Sequence, residues 1–136
     1  MSVNAGKGQA YHHNLVHFMQ ANITKDSPAL VSLGWLPAGS AVIGSGVSIA
    51  QAWSGTGDEA VDLGFRNSED GHTTDPNAFT ETALDLDAAV GHIAGDVVSA
   101  ANLYFAGPAE VTATITNTNS TTGNAYVYVT YIVTGN

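Results

Sequence analysis

Three of the chain's five histidines lie in one short segment, at His12, His13 and His17, where imidazole rings could bind a metal ion. A catalytic zinc site needs about three protein ligands, usually histidines with a carboxylate, and an open position. On a strand rising ~3.3 Å per residue, His13 and His17 are roughly 13 Å apart and His12 points to the opposite face. A helix would bring His13 and His17 together, but the segment lacks the glutamate of a zinc-peptidase helix. We therefore expect a structural role, without a metal or other cofactor.

Two groups of carboxylates were weighed as further sites. Asp85 and Asp87 would share one strand face ~7 Å apart, a separation that a glycosidase acid and base could use. Glu69, Asp70 and Asp75 could bind Ca²⁺, but their spacing does not follow the EF-hand pattern. Nothing else in the sequence supports either chemistry, so we predict no catalytic residues and no enzyme.

The aromatic residues offer one binding alternative. Trp35 and Trp53 could stack on sugar rings, or they could fill a core or a subunit interface. A carbohydrate- or receptor-binding β-sandwich module is accordingly the alternative function.

Charge excludes two classes of partner. The chain has 3 Lys and Arg against 12 Asp and Glu, a formal net charge of −9. Nucleic-acid binding depends on cations that neutralise phosphates, and so few cations cannot form such a patch. An anionic membrane surface would repel the chain for the same reason. We expect no direct nucleic-acid partner and no membrane partner.

Composition predicts the elements that must position these residues. Only 11% of the chain is charged, and cysteine is absent. Ser, Thr, Asn and Gly supply the polar surface, which is typical of short strands and tight turns. Alternating apolar residues predict strands at 9–20, 30–36, 40–53, 59–65, 109–117 and 125–133.

The connections between these strands follow from turn residues. We predict loops at 21–29 and 67–77, a turn at 36–39, a hairpin-type connection at 54–58 and a β-hairpin closed by 118–124. Gly44 and Gly46 predict a bulge or a close backbone approach. Residues 79–105 fit a helix or strands, and we favour strands broken by Gly91 and Gly95.

These elements predict one domain of all-β class. The chain of 136 residues is long enough for one core. We expect a flexible N-terminal arm at 1–8 and a single β-sandwich of jelly-roll type at 9–136. The absence of an apolar segment of signal-peptide length predicts synthesis in the cytoplasm.

Several segments together resemble a known family. They are AYHHNLVHF near the start, the LPAG turn, GTGDEAVDLGF and the closing strand AYVYVTYIVTG. The chain resembles the small capsid decoration, or cement, proteins of tailed bacteriophages. The resemblance covers residues 9–66 and 108–135, and residues 67–107 match no part of it.

The resemblance implies a structural virion protein. Such proteins bind the outer surface of an icosahedral head between major capsid protein subunits and stabilise it against the pressure of packaged DNA. It also implies self-association into a homodimer or homotrimer. The predicted first strand is where we expect a neighbouring subunit to bind, through Tyr11, His12, His13, Leu15, His17 and Phe18.

Overall fold

The computed structural model describes residues 15–96 and 104–134, which form nine β-strands. These residues contain no helix that is long and apolar enough to cross a membrane. The strands are β1 His17–Thr24, β2 Leu30–Leu36, β3 Ser40–Gln51, β4 Ala60–Arg66, β5 Leu84–Asp85, β6 Gly91–Ala94, β7 Tyr104–Phe105, β8 Ala109–Thr116 and β9 Asn124–Val133.

The strands form two antiparallel sheets, which confirms the predicted β-sandwich. Sheet A has the order β1-β9-β3-β6, with β7 also paired to β3. Sheet B has the order β2-β8-β4-β5. The chain changes sheet between β1 and β2, β2 and β3, β3 and β4, β5 and β6, β7 and β8, and β8 and β9.

This alternation corrects two predicted connections. The loop between β3 and β4 and the loop between β8 and β9 were predicted to close hairpins, but each joins strands of opposite sheets. Side-chain alternation identifies a strand without identifying its partner. A loop of this length can also cross the ~10 Å between two packed sheets.

The core lies between the sheets and is built from inward residues of both. In β9 the alternate residues Ala125, Val127 and Val129 are fully buried. In β4 the same alternation buries Val61, Leu63 and Phe65. Because both strands obey a period of two, each contributes one apolar face to a shared core.

The glycines of β3 confirm the predicted irregularity. The register with β9 shifts between Val42 and Gly44, which marks a bulge. At Gly46, a Cβ atom would lie 2.5 Å from the Tyr128 hydroxyl and 2.8 Å from the Ile93 carbonyl. Glycine is therefore required there by the close approach of two neighbouring strands.

The first strand differs from its prediction. It was predicted at residues 9–20, whereas β1 begins at His17 and continues to Thr24, so the predicted loop from residue 21 is wrong at its start. Asn22 and Thr24 suggested a loop by type, but Asn22 faces outward while Ile23 is fully buried. Residues 9–14 and the predicted arm at 1–8 lie outside the described residues.

The middle of the chain forms short strands and irregular segments held by buried apolar side chains. Among its described residues there is no helix, and Gly91 begins β6 rather than interrupting a strand. Phe79, Leu86 and Phe105 are fully buried. The backbone of Asp75 pairs with Phe65 through two hydrogen bonds of 2.9 and 3.1 Å, which places this segment along β4.

Candidate functional site

One side of the sandwich is formed by two edge strands in contact. β1 is an edge of sheet A and β2 is an edge of sheet B, and the two pack against each other. We call residues 15–24 and 30–36 the β1–β2 side. Met19, Ala21, Val31 and Leu33 are partly buried there against the core.

Exposed apolar side chains concentrate on this β1–β2 side. Among the described residues, five of nine exposed large hydrophobic side chains belong to it. Phe18 is 63% exposed and Trp35 is 48% exposed. Exposed apolar side chains are often found where a surface meets another molecule. The five are Leu15, Val16, Phe18, Leu30 and Trp35.

Sheet A carries no formal charge. Its five strands, β1, β3, β6, β7 and β9, contain no Asp, Glu, Lys or Arg. Sheet B, in contrast, includes Asp62, Arg66, Asp85 and Glu110. The centres of protein interfaces are depleted in charged residues and enriched in aromatic ones. The outer face of sheet A has this composition.

Tyrosine and histidine organise that outer face. The Tyr128 ring lies over Gly46 and stacks on His92 with ring centroids 5.6 Å apart. The His92 Nε2 atom lies 2.5 Å from the Tyr128 hydroxyl. Ser48 and Tyr126 are neighbours on the adjacent strands and are both exposed. This part of the outer face is therefore an uncharged surface of polar and aromatic side chains.

The predicted interface residues fall into two groups. Leu15, His17 and Phe18 lie exposed on the β1–β2 side, whereas Tyr11, His12 and His13 are outside the described residues. His17 stacks on Tyr131 at 5.4 Å. Within residues 15–96 and 104–134, no group of three His, Asp or Glu side chains could hold a metal ion.

The two tryptophans have different environments. Trp53 is only 3% exposed and its ring packs against Gly123, so it is a core residue that a glycan cannot reach. Trp35 is exposed and lies opposite Glu110, whose carboxylate accepts a 2.7 Å hydrogen bond from Arg66 Nε. Hydrogen bonds from Arg66 and Ser32 lower the pKa of Glu110. Trp35 alone therefore remains accessible to a glycan or a subunit.

Four acidic residues meet at one surface cleft, and one of them, Glu59, has a structural role. Asp58, Glu59, Asp85 and Asp87 line a surface cleft. Glu59 is buried and accepts hydrogen bonds from the backbone amides of Gly57 at 3.3 Å and Thr118 at 2.5 Å. A hydrogen bond to Asp85 raises the pKa of Asp87. Glu59 joins the two loops that cross between the sheets, a role that the sequence analysis missed.

Asp70 fastens the loop after β4 to the chain after β7. Its carboxylate accepts hydrogen bonds from the Ser68 hydroxyl and, at 2.7 Å, from the Ala106 amide. His72 Nδ1 lies 2.5 Å from the same carboxylate. Burial would raise the pKa of Asp70, but these three partners outweigh burial and hold it well below its usual range.

Replacing Asp70 by asparagine is expected to destabilise the fold at pH 7 and pH 5. The folded-state pKa is depressed, so the stabilisation is fully present above the unfolded value of about 3.9 and disappears as the pH falls through the folded value. Urea midpoints of both proteins at pH 7, 5, 3 and 2 should converge only at the acid end. Asp26→Asn, which changes an exposed ion pair with Lys25, is the control. Equal midpoints at pH 7 would contradict this role.

Comparison with solved structures finds the same fold in chains of three phage capsid structures. A chain of the acidic stable capsid structure of Helicobacter pylori bacteriophage KHP30 is 21% identical, with 89% of this chain and 90% of that chain covered and a TM-score of 0.64. A chain of the capsid of Ralstonia phage GP4 is 17% identical, with 90% and 86% covered and a TM-score of 0.65. A chain of the Cyanophage Pam1 capsid asymmetric unit is 17% identical, with 88% and 84% covered and a TM-score of 0.52.

The comparisons by sequence find no relative. No protein-family model matches the chain, and no curated protein matches it. The three structural likenesses cover nearly the whole chain at low identity, so they establish a shared fold.

Proposed function

We propose that this protein is a structural component of a phage virion, a decoration protein that binds the outer surface of the icosahedral head between major capsid protein subunits. In this role it stabilises the head against the pressure of packaged DNA. The observation that carries the proposal is the uncharged outer face of sheet A, in a chain whose formal net charge is −9.

Fold likeness supports a virion role. The chain shares its fold with chains from the capsids of three phages, over 84% or more of each of those chains. The strand orders β1-β9-β3-β6 and β2-β8-β4-β5 also support the jelly-roll type of sandwich.

The charge distribution supports the outer surface. Packaged DNA would repel so acidic a chain, which favours the side of the shell away from DNA. A surface without formal charge avoids the desolvation cost of burying ions. The outer face of sheet A can therefore approach a shell subunit closely, while the charged residues of sheet B remain in water.

Stabilisation of the head would follow from mass action. A molecule that binds only the assembled shell lowers the free energy of the assembly relative to its dissociated subunits. Symmetry repeats each contact many times, and a contact of moderate strength then has a large combined effect.

Purified protein added to undecorated expanded heads is expected to bind stoichiometrically and to raise the temperature at which they release DNA. Ser48→Glu places a charge in the centre of the outer face of sheet A and should weaken binding at least about tenfold, because the carboxylate would be buried without a partner. Sedimentation with heads measures the bound fraction.

Val90→Glu is the matched control. Val90 is 67% exposed and precedes β6, at the edge of sheet A opposite β1. Val90→Glu adds the same charge outside the proposed contact, so its affinity for heads should stay within about twofold of that of the wild type. If the wild-type protein does not bind the heads, or if both variants bind as it does, the proposal is wrong.

A further inference from the structure

The four sheet edges differ in how well they are protected. β2 has a register shift between Ser32 and Gly34, and β6 has four residues. β5 has two residues, and residues 75–79 bond to the neighbouring part of β4. β1 has eight residues, pairs with β9 without a register shift and contains no Pro, Gly, Lys, Arg, Asp or Glu.

Proteins usually prevent association at an edge strand with a charge, a proline, a bulge or a covering segment. In the described part of the chain, β1 has none of these, and no strand pairs with its outer edge. Its row of backbone donors and acceptors can bind a further extended strand. Such an edge is suited to association.

We propose that β1 pairs antiparallel with β1 of a second copy about a two-fold axis, so that sheet A continues from one copy into the other. The inference rests on the proposed function for its biological use and deepens it by naming the surface between copies. A two-fold axis lets the same strand serve as both partners.

The direction of the side chains allows only a few registers for this pairing. Opposite residues of paired strands point to the same face, so outward Gln20 must lie opposite another outward residue. With Ala21 on the axis, inward Met19 lies opposite Ile23 of the second copy. On the outer face, Gln20 then lies opposite Asn22 of the second copy.

Polar satisfaction favours this register. The Asn22 Nδ2 group already donates to Asn124 Oδ1 at 2.6 Å and to the Ala125 carbonyl at 3.1 Å. Its own side-chain oxygen can accept a hydrogen bond from Gln20 of the second copy. The two-fold axis makes this contact twice.

Charge also favours a second copy. Each copy carries a formal charge of −9, so repulsion between two copies is weakest where carboxylates are absent. The charged residues nearest in sequence to β1 are Lys25 and Asp26, which bind each other at 3.0 Å. Pairing through β1 therefore brings two acidic chains together at an uncharged strand.

Pairing of two copies would double the area of sheet A that is available to contact the head. Four strands ~4.8 Å apart and about 25 Å long present roughly 400–500 Å². Two joined copies present about 800–1,000 Å², close to the ~800 Å² that each partner buries in a standard protein interface. One copy alone is too small for such an interface, whereas a pair is large enough.

Sedimentation equilibrium of the full chain without phage heads tests the pairing. The wild type should be a dimer, and Q20K/N22K should raise the dissociation constant at least about tenfold by placing like charges opposite each other. Q20E/N22K places opposite charges across the axis and should remain dimeric. Ser48→Glu should also remain dimeric, although it weakens binding to heads. Near-ultraviolet circular dichroism shows whether each variant is folded.

The outcomes separate this inference from the proposed function. A wild type that is monomeric at all concentrations, or a dimer that Q20K/N22K leaves unchanged, overturns the pairing even if the protein binds heads. A Q20K/N22K monomer together with a Q20E/N22K dimer supports it even if neither binds heads. Dissociation of both double variants contradicts the register with Ala21 on the axis, and so overturns the inference as stated.

Discussion

Phe105→Ala is expected to lower the free energy of unfolding by about 3–5 kcal/mol, the usual cost of removing a buried phenylalanine ring. Phe105 is fully buried, and its ring centroid lies 4.8 Å from that of Phe65 and 5.1 Å from that of His72. Its backbone carbonyl accepts a 2.8 Å hydrogen bond from Gly39. The ring thus joins β7 to the core and to the Asp70 loop. Urea unfolding followed by tryptophan fluorescence measures the loss.

Phe18→Ala is the matched control for this prediction. It removes the same ring from β1, where 63% of the side chain is exposed, and the monomer should lose at most about 0.5 kcal/mol. Measured at low protein concentration, the two variants should therefore differ by several kilocalories per mole. Equal losses would contradict the assignment of one ring to the core and the other to the surface.

Glu59→Ala is expected to lower the free energy of unfolding by about 2–6 kcal/mol, because two backbone amides lose a charged acceptor at roughly 1–3 kcal/mol each. The amides belong to Gly57 and Thr118, in the two loops that cross between the sheets. Chemical denaturation measures the loss, and hydrogen exchange should show faster exchange at both amides.

Glu81→Ala removes an equal charge from an exposed side chain and serves as the control. It should change stability by less than about 0.5 kcal/mol. Glu59→Gln keeps one acceptor oxygen, so its free energy of unfolding should lie between those of Glu59→Ala and Glu81→Ala. If Glu59→Ala is no less stable than Glu81→Ala, the loops are not held together by this carboxylate.

The positions of strands could be predicted from the sequence wherever the alternation of apolar and polar residues is unbroken. The pairing partners of those strands could not. β3, β4, β8 and β9 are close to their predicted positions because each shows a period of two. Whether the next strand pairs with its predecessor or lies in the opposite sheet depends on the distant packing of two faces. The structure of residues 67–107 was the hardest to predict, because part of their hydrogen bonding is irregular. For example, the backbone amide of Leu63 donates to the side-chain oxygen Oγ1 of Thr80.

The candidate site was only partly predictable. Histidines drew attention to the first strand by residue type, whereas the structural signal is the absence of charge across all of sheet A. That signal needs the strand order, because β1, β3, β6 and β9 are far apart in the chain. Glu59 had a signal that was overlooked: it shares the parity of Val61, Leu63 and Phe65, so alternation places it inward.

A cryo-electron microscopy map of expanded heads decorated with the purified protein tests the central claim most directly. The account predicts density for the β-sandwich on the outer surface at seams between major capsid protein subunits. The outer face of sheet A should be in contact with the shell, and the charged residues of sheet B should face solvent. Heads without added density, or density that contacts the shell only through sheet B, would contradict it.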